Sequence, residues 1–462
     1  MSRPRKFEHI LWVVVLAAFP LFSLAQSDIR NDVILAVSTR EALFGSNEID
    51  TEQSPSIPVW KKWITGWQGF SQLEVAYAYN DPAHFSKARL RNELSRSGQL
   101  NEYIKWKISG RFDYDAIYDL SNFYPGSVRR DQRQEFFIRE NYVDISAGSF
   151  DFRLGRQHVV WGEMVGLFFA DVASAKDMRE FVLPDFDILR IPQWAVRAEY
   201  THAESDFHAE LLWIPIASFD KTGKPDGEFF PFSFPVAATF LNEDKSGRNI
   251  AHSNYGLRLS QLIDGWDISA FYYHSLDAAP TFFRVSGPTE PLVFQARHEP
   301  IDQAGLTFTK DLGTAVLKGE LIYTDGRRLN VTRPAQMNGL VRQDTLDYVL
   351  GLDFNLPVET RMNLQFFQRI HLAHDPDVIP DEQESGASIL LNSQLRQNLE
   401  TQVLLIHSLN RSDWMLRPRL SWNFVKNWRM VLGADIFGGR STGFFGRFDD
   451  SDRVYTEVRY TF

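Results

Sequence analysis

Hydrophobic and polar positions alternate one for one along much of this chain. Between Leu100 and Tyr114, the residues Ile104, Trp106, Ile108, Phe112 and Tyr114 fall on one face, and Lys105, Lys107, Ser109, Arg111 and Asp113 fall on the other. A period of two belongs to a β-strand, because a helix cannot sort those residues into two faces. The same division runs through Trp67 to Tyr79, where Leu73, Val75, Tyr77 and Tyr79 oppose Gln68, Gln72 and Glu74. Near the end, Trp414, Leu416, Leu420 and Trp422 alternate with Arg417, Arg419, Ser421 and Asn423. The last ten residues, RVYTEVRYTF, repeat the pattern and finish on Phe462.

Segments of this length and period are those of a strand that shows one face to lipid and the other to a lumen, and they predict about 18 strands, or 16 if one weak pair is misread. The connections give a second test, because outer-membrane barrels join their strands by short periplasmic turns and longer external loops. Short turns are expected at SGQ from Ser97, AGS from Ala147, AESD from Ala203, IDG from Ile263, KDLG from Lys310, NLP from Asn355, RQN from Arg396 and VKN from Val425. Between them lie longer polar segments at 116–132, 162–190, 217–250, 277–300, 325–344, 373–386 and 439–451, with two short external links near Asn80 and Asn410. The fold expected is all-β: a transmembrane antiparallel barrel over 66–462, in the bacterial outer membrane. Closure pairs every backbone group between neighbouring strands, which lets so polar a sequence reside in lipid. A periplasmic sandwich or propeller would share the alternation but would show blade repeats.

Composition narrows the picture. Arg3, Arg5 and Lys6 precede an apolar run from Ile10 to Leu24 and a small-residue Ala25, the layout of a secretory signal peptide over 1–25. The run is short for a spanning helix and contains Pro20. Residues 26–65 are expected to form a short periplasmic or plug segment, because SNEIDTEQSPSIP interrupts the only apolar stretch. With no cysteine the chain has no disulfide, thiolate metal site or lipid-modified cysteine. A net charge of −10 argues against nucleic acid as a partner.

The stretch FDFRLGRQHVVWGE at 150–163 leads into a loop rich in Asp and Phe and then into the strand IPQWAVRAEY. This resembles a proteobacterial family of porin-like outer-membrane proteins of unknown function, in which an LGRQ strand runs into a WGE turn and a loop that bears on the pore. The resemblance is specific over 153–194 and general elsewhere. It implies a passive outer-membrane channel, in some members working with export or uptake systems for lipid or hydrophobic compounds.

If the polar faces point inward, the lumen carries a basic wall of Arg91, Lys105, Lys107, Arg111, Arg153, Arg197, Arg258, Lys318, Arg361, Arg369, Arg417, Arg419, Arg429 and Arg459. Glu93, Asp113, Glu199, Glu210, Asp267, Glu320, Asp347 and Asp353 share those faces. Such a wall either favours anions at short range or neutralises itself in ion pairs that stabilise a wide barrel. The loop after Trp161 is unusually apolar for a segment in water, so it must bury something. It is expected either to fold into the lumen as a constriction, offering Glu163, Phe168, Phe169, Asp171, Asp177, Arg179, Asp185 and Asp187 to solute, or to pack on the rim or a trimer interface.

Other motifs carry less. HLAHDPDVIPDEQES supplies His371, His374, Asp375, Asp377, Asp381, Glu382 and Glu384, oxygen-rich but without a metal-binding spacing, and reads as a solvated loop. Gly439-Arg440-Ser441-Thr442-Gly443 matches the nucleophile elbow G-x-S-x-G without its strand-to-helix setting. The function expected is that of a porin-like channel for small, anionic solutes, without enzymatic activity or cofactor; the alternative is an outer-membrane portal of a multiprotein export or uptake system for lipid or hydrophobic compounds. Expected partners are outer-membrane lipid and lipopolysaccharide, the barrel-assembly machinery that reads Tyr460 and Phe462, and either further copies of the chain or a periplasmic exporter component.

Overall fold

A computed structural model describes residues 66–462, apart from 163, 165–169, 232–237, 246 and 288–290. The expected signal peptide and the segment 26–65 lie outside the described residues. Eighteen strands form one antiparallel sheet. In chain order they are β1 Gln68–Ala78, β2 His84–Asn101, β3 Ile104–Asp115, β4 Gln134–Ala147, β5 Phe150–Gln157 and β6 Gln193–His202. Next come β7 Phe207–Ile216, β8 Asn254–Ile263, β9 Trp266–Leu276, β10 Pro300–Asp311, β11 Ala315–Asp325 and β12 Asp344–Leu356. The last six are β13 Thr360–Leu372, β14 Gln383–Arg396, β15 Leu399–Ser408, β16 Trp414–Val425, β17 Trp428–Gly438 and β18 Arg453–Thr461.

Each strand pairs with the next, and β18 pairs back onto β1 from Phe70 opposite Thr461 to Ala78 opposite Arg453. The sheet is therefore a closed barrel with no free edge. Gly69 and Phe462 exchange two backbone hydrogen bonds of 3.0 Å each, so the terminal aromatic belongs to the seam.

Exposure follows the alternation. On β18, Val454 is exposed on the outer face while Arg453 and Tyr455 are buried. On β1, Gln72 and Glu74 are buried while Tyr77 is exposed. Large apolar residues such as Phe136, Leu211, Trp213 and Tyr272 face outward around the ring, where lipid rather than water would meet them. All eight short connections fall on the rim that also holds the start of β1 and the end of β18.

Two turns are displaced from the sequence reading. SGQ from Ser97 lies inside β2, and the chain reverses at 102–103 instead. Asn101 Oδ1 accepts from the backbone N–H groups of Tyr103 and Ile104, both at 2.9 Å, which supplies the turn. Gly98 is needed in the strand itself, because a Cβ there would come within 2.7 Å of the Trp106 ring. The turn near Asn355 likewise forms later, after Leu356, with Val358 and Glu359 at φ 61° and 47°.

Candidate functional site: a loop across the lumen

The connection between β5 and β6, residues 158–192, leaves the wall and crosses the barrel interior. It is held first on the β7–β11 side. Trp161 is 1% exposed and packs on Phe271 and Tyr273, with ring centroids 5.3 and 5.6 Å away, while its Nε1 donates to Glu210 Oε1 at 3.1 Å. Gly256 makes the space, since a Cβ there would meet the Trp161 ring at 2.7 Å. Glu320 on β11 then accepts from the backbone N–H of Met164 at 3.1 Å and of Ala170 at 3.0 Å. These contacts explain Trp161 and its surroundings: a buried indole, with the backbone of Met164 and Ala170 tied to one wall carboxylate.

The middle of the loop folds on itself. Ala175 and Lys176 pair with Ile191 and Arg190, and Arg190 Nε donates to Asp171 at 2.8 Å. The external loop between β7 and β8 packs against it. Asp220 Oδ1 accepts from the Lys176 backbone N–H at 2.7 Å, and Met178 N–H donates to Lys221 O at 2.8 Å. Burial pushes the Asp220 carboxyl up to about 6, against the pull of Lys176.

The far end is clamped by charge. Arg179 bridges Asp177 at 2.6 Å and Glu135 at 2.7 Å. Burial alone would raise the Asp177 carboxyl, but Arg179 outweighs it and holds the group at about 2. Glu180 contacts Lys87 and Arg89 on β2, with Arg453 on β18 at 3.7 Å. Its carboxyl also sits well below the usual range, since Arg89 and Lys87 outweigh burial. Arg417 donates to Leu183 O at 2.7 Å and Arg419 pairs with Asp185 at 2.9 Å. On the return, Arg139 on β4 donates to Arg190 O at 3.0 Å and to Asp187 O. Between the clamps Phe181 takes a left-handed backbone, φ 52°, which costs a non-glycine residue roughly 1–3 kcal/mol. Its ring offsets that strain by packing among Phe437, Phe444, Phe445 and Phe448.

Of the loop residues singled out in the sequence, Asp171, Asp177, Arg179, Asp185 and Asp187 are placed as above. Glu163, Phe168 and Phe169 lie outside the described residues. Most of the basic wall is paired. Arg153 binds Asp144 through two bonds of 2.6 and 2.9 Å, and Arg369 binds Asp347 through two of 2.5 and 3.1 Å. Arg91 holds Asp113 at 3.0 Å, Arg197 holds Glu199 at 2.5 Å, Lys318 holds Asp353 at 3.0 Å, and Lys107 contacts Glu140. Arg111 is 2% exposed and packs on the Phe137 ring at 4.2 Å, with Asp113 3.4 Å away. Arg258 and Arg429 donate to Ser269 and Ser421, and Arg459 donates to Gln72. Lys105 and Arg361 are exposed beside the short turns. The sequence reading missed Lys87, Arg89, Arg139 and Glu180, although the spacing of Lys87, Arg89 and Arg91 at every second residue places all three on one strand face.

The loop divides the space beside it. An outer cavity of about 500 Å³ is lined by loop residues Asp171, Ser174 and Val182, by wall residues on β9 to β15 such as Phe367 and Arg369, and by external-loop residues such as Arg411 and Phe445. A second, inner cavity of about 460 Å³ lies against β14 to β18, lined by Leu390, Leu404, Met415, Arg417 and Arg419 together with Asp185 and Asp187. In the 371–384 loop, Arg333 binds Asp375 at 2.7 Å and Asp377 at 2.9 Å, so those carboxylates answer an arginine. Among the described residues no group of three or more His, Asp or Glu is placed to hold a metal ion.

Residues 84–462, most of the chain and nearly all of the barrel, match a family model described as a protein of unknown function, DUF1302. The chain belongs to that family. No curated protein sequence matches this DUF1302 chain. Among solved structures, OccAB4 of Acinetobacter baumannii is similar at a TM-score of 0.51 and 10% identity, covering 86% of this chain and 97% of that one. OccD3 of Pseudomonas aeruginosa is similar at 0.51 and 10%, covering 86% and 91%. At such identities the likeness concerns the fold: the DUF1302 barrel is a porin-like barrel of the outer-membrane type.

Proposed function

We propose that the chain is a passive outer-membrane channel for small solutes, with anions preferred at the inner cavity. The observation that carries the reading is the loop 158–192, clamped across the lumen with a cavity on each side of its tip. A channel uses such a loop to set its width and charge. Arg190, Arg417 and Arg419 line the inner cavity with Asp185 and Asp187, and these three guanidinium groups support the preference for anions, although Asp171 and Asp435 already pair with two of them. No reacting group is required, since selection rests on width and wall charge.

Reversal potentials in planar bilayers, measured across a salt gradient with the purified barrel, test this. A shift toward the anion potential is expected. A strong cation preference would defeat the charge assignment, and absence of any conductance or solute flux would defeat the channel itself.

A further inference from the structure

Two cavities lie on either side of the loop tip, and they share two lining residues, Val182 and Ile406. Both are hydrocarbon. Around them the contact is also apolar: Val182, Phe367 and Leu404 pack against a buried cluster that includes Ile406, Met415 and Phe445. Two neighbouring charged groups, Glu180 and Arg417, are engaged elsewhere. Glu180 is turned to Lys87 and Arg89, and Arg417 is taken up by Asp435 at 2.7 Å and by Leu183 O. Val182 therefore stands between two fixed points, with the Glu180 clamp on one side and the Leu183 carbonyl on the other.

From this geometry we infer that Val182 and Ile406 form an apolar gate between the outer and inner cavities, and that the gate selects solutes with an apolar body. The inference rests on the channel reading above. A hydrated ion crossing between the cavities meets the hydrocarbon side chains of Val182 and Ile406 in place of its water, so ions are held back. A solute with an apolar face loses little hydration there and gains contact with Val182, Ile406, Phe367 and Leu404. Beyond the gate, Arg419 lines the inner cavity and exchanges Asp185 for the charged end of the solute once the apolar body has entered. The class of solute this fits is a small amphiphile: an apolar body with one anionic end.

The test compares benzoate with lactate, anions of equal charge and different body, in liposome flux assays with the purified barrel, alongside potassium chloride conductance. The wild-type protein is expected to pass benzoate severalfold faster than lactate and to conduct chloride weakly. Val182→Thr keeps the shape of the side chain and adds a hydroxyl at the seam. It is expected to raise chloride conductance severalfold and to erase the benzoate advantage. Ile406→Ser should do the same from the wall side; if that variant does not fold, Val182→Thr stands alone because it changes only the loop. Equal flux of the two anions through the wild-type barrel, or a Val182→Thr variant with unchanged conductance and preference, overturns the gate while leaving the channel reading in place. A barrel that passes neither anion and conducts in no variant overturns both.

Discussion

Glu180→Gln is the most informative single change to the loop. The carboxylate is about nine-tenths buried, with a side-chain exposure of 11%, and it contacts Lys87 and Arg89 with Arg453 close by. Glutamine keeps the shape and removes the charge. Breaking a buried ion pair by deleting one partner costs about 3–5 kcal/mol, because the remaining charge stays desolvated. Here the cations retain other partners: Glu74 lies 2.6 Å from Lys87 and Asp435 lies 2.8 Å from Arg453. The loss should therefore fall near the lower end, about 3 kcal/mol. It falls on loop docking and leaves the barrel ladder intact. At about 1.4 kcal/mol per factor of ten, the undocked loop should rise on the order of a hundredfold. Two readouts follow, namely the open-channel current noise of single barrels and the rate of trypsin cleavage after Arg179 in the folded protein. Both should increase while the barrel's thermal transition stays close to that of the wild type. Unchanged noise together with unchanged cleavage would refute the claim that Glu180 clamps the loop.

Four further outcomes are expected. Gly256→Ala should lower thermal stability by about 1–3 kcal/mol, since the added methyl collides with Trp161 and Tyr273; a variant as stable as the wild type would mean that the indole has room to move. Arg419→Gln removes one inner-cavity charge and frees Asp185, so reversal potentials should shift toward cations. Asp220, whose folded pKa of about 6 lies above its ordinary value of 3.8, binds its proton more tightly when the loop is docked. Its contribution is thus fully present below pH 3.8 and is lost as pH rises through 6; trypsin cleavage of the loop should increase over that window, and Asp220→Asn should flatten the rise. Phe462→Ala keeps the backbone bonds to Gly69, so a refolded barrel should melt as before while the yield assembled in cells falls.

The barrel was legible in the sequence because its rule is local. A strand of period two declares its faces residue by residue, and Trp106 or Val454 can be assigned to the outside without knowing its neighbours. The turn after β2 shows the limit. Ser97-Gly98-Gln99 has turn chemistry, yet Gly98 is used to admit the Trp106 ring from the facing strand, a demand visible only once β2 and β3 are paired. The loop was legible in part. Its apolar content announced burial, but Glu180 gains its meaning from Lys87 and Arg453, which lie 93 and 273 positions away in the chain. The seam at Val182 was invisible for the same reason, since a valine in a loop and an isoleucine on a strand carry no mutual signal until the fold brings them to one place.

Around a ring of eighteen strands, β8 and β9 stand half a circumference from β17 and β18. The loop is tied to Glu210 and Glu320 near the first pair and to Arg417 and Arg453 near the second. Mechanically it is a tie beam across a thin cylinder. A barrel without one can flatten into an ellipse under the lateral pressure of the surrounding lipid, at little cost to its hydrogen bonds. Here the same flattening would pull on the segment that carries Val182. In the channel proposed above, the width of the passage would then be coupled to the roundness of the wall, and membrane thickness or tension would become a variable of its conduction.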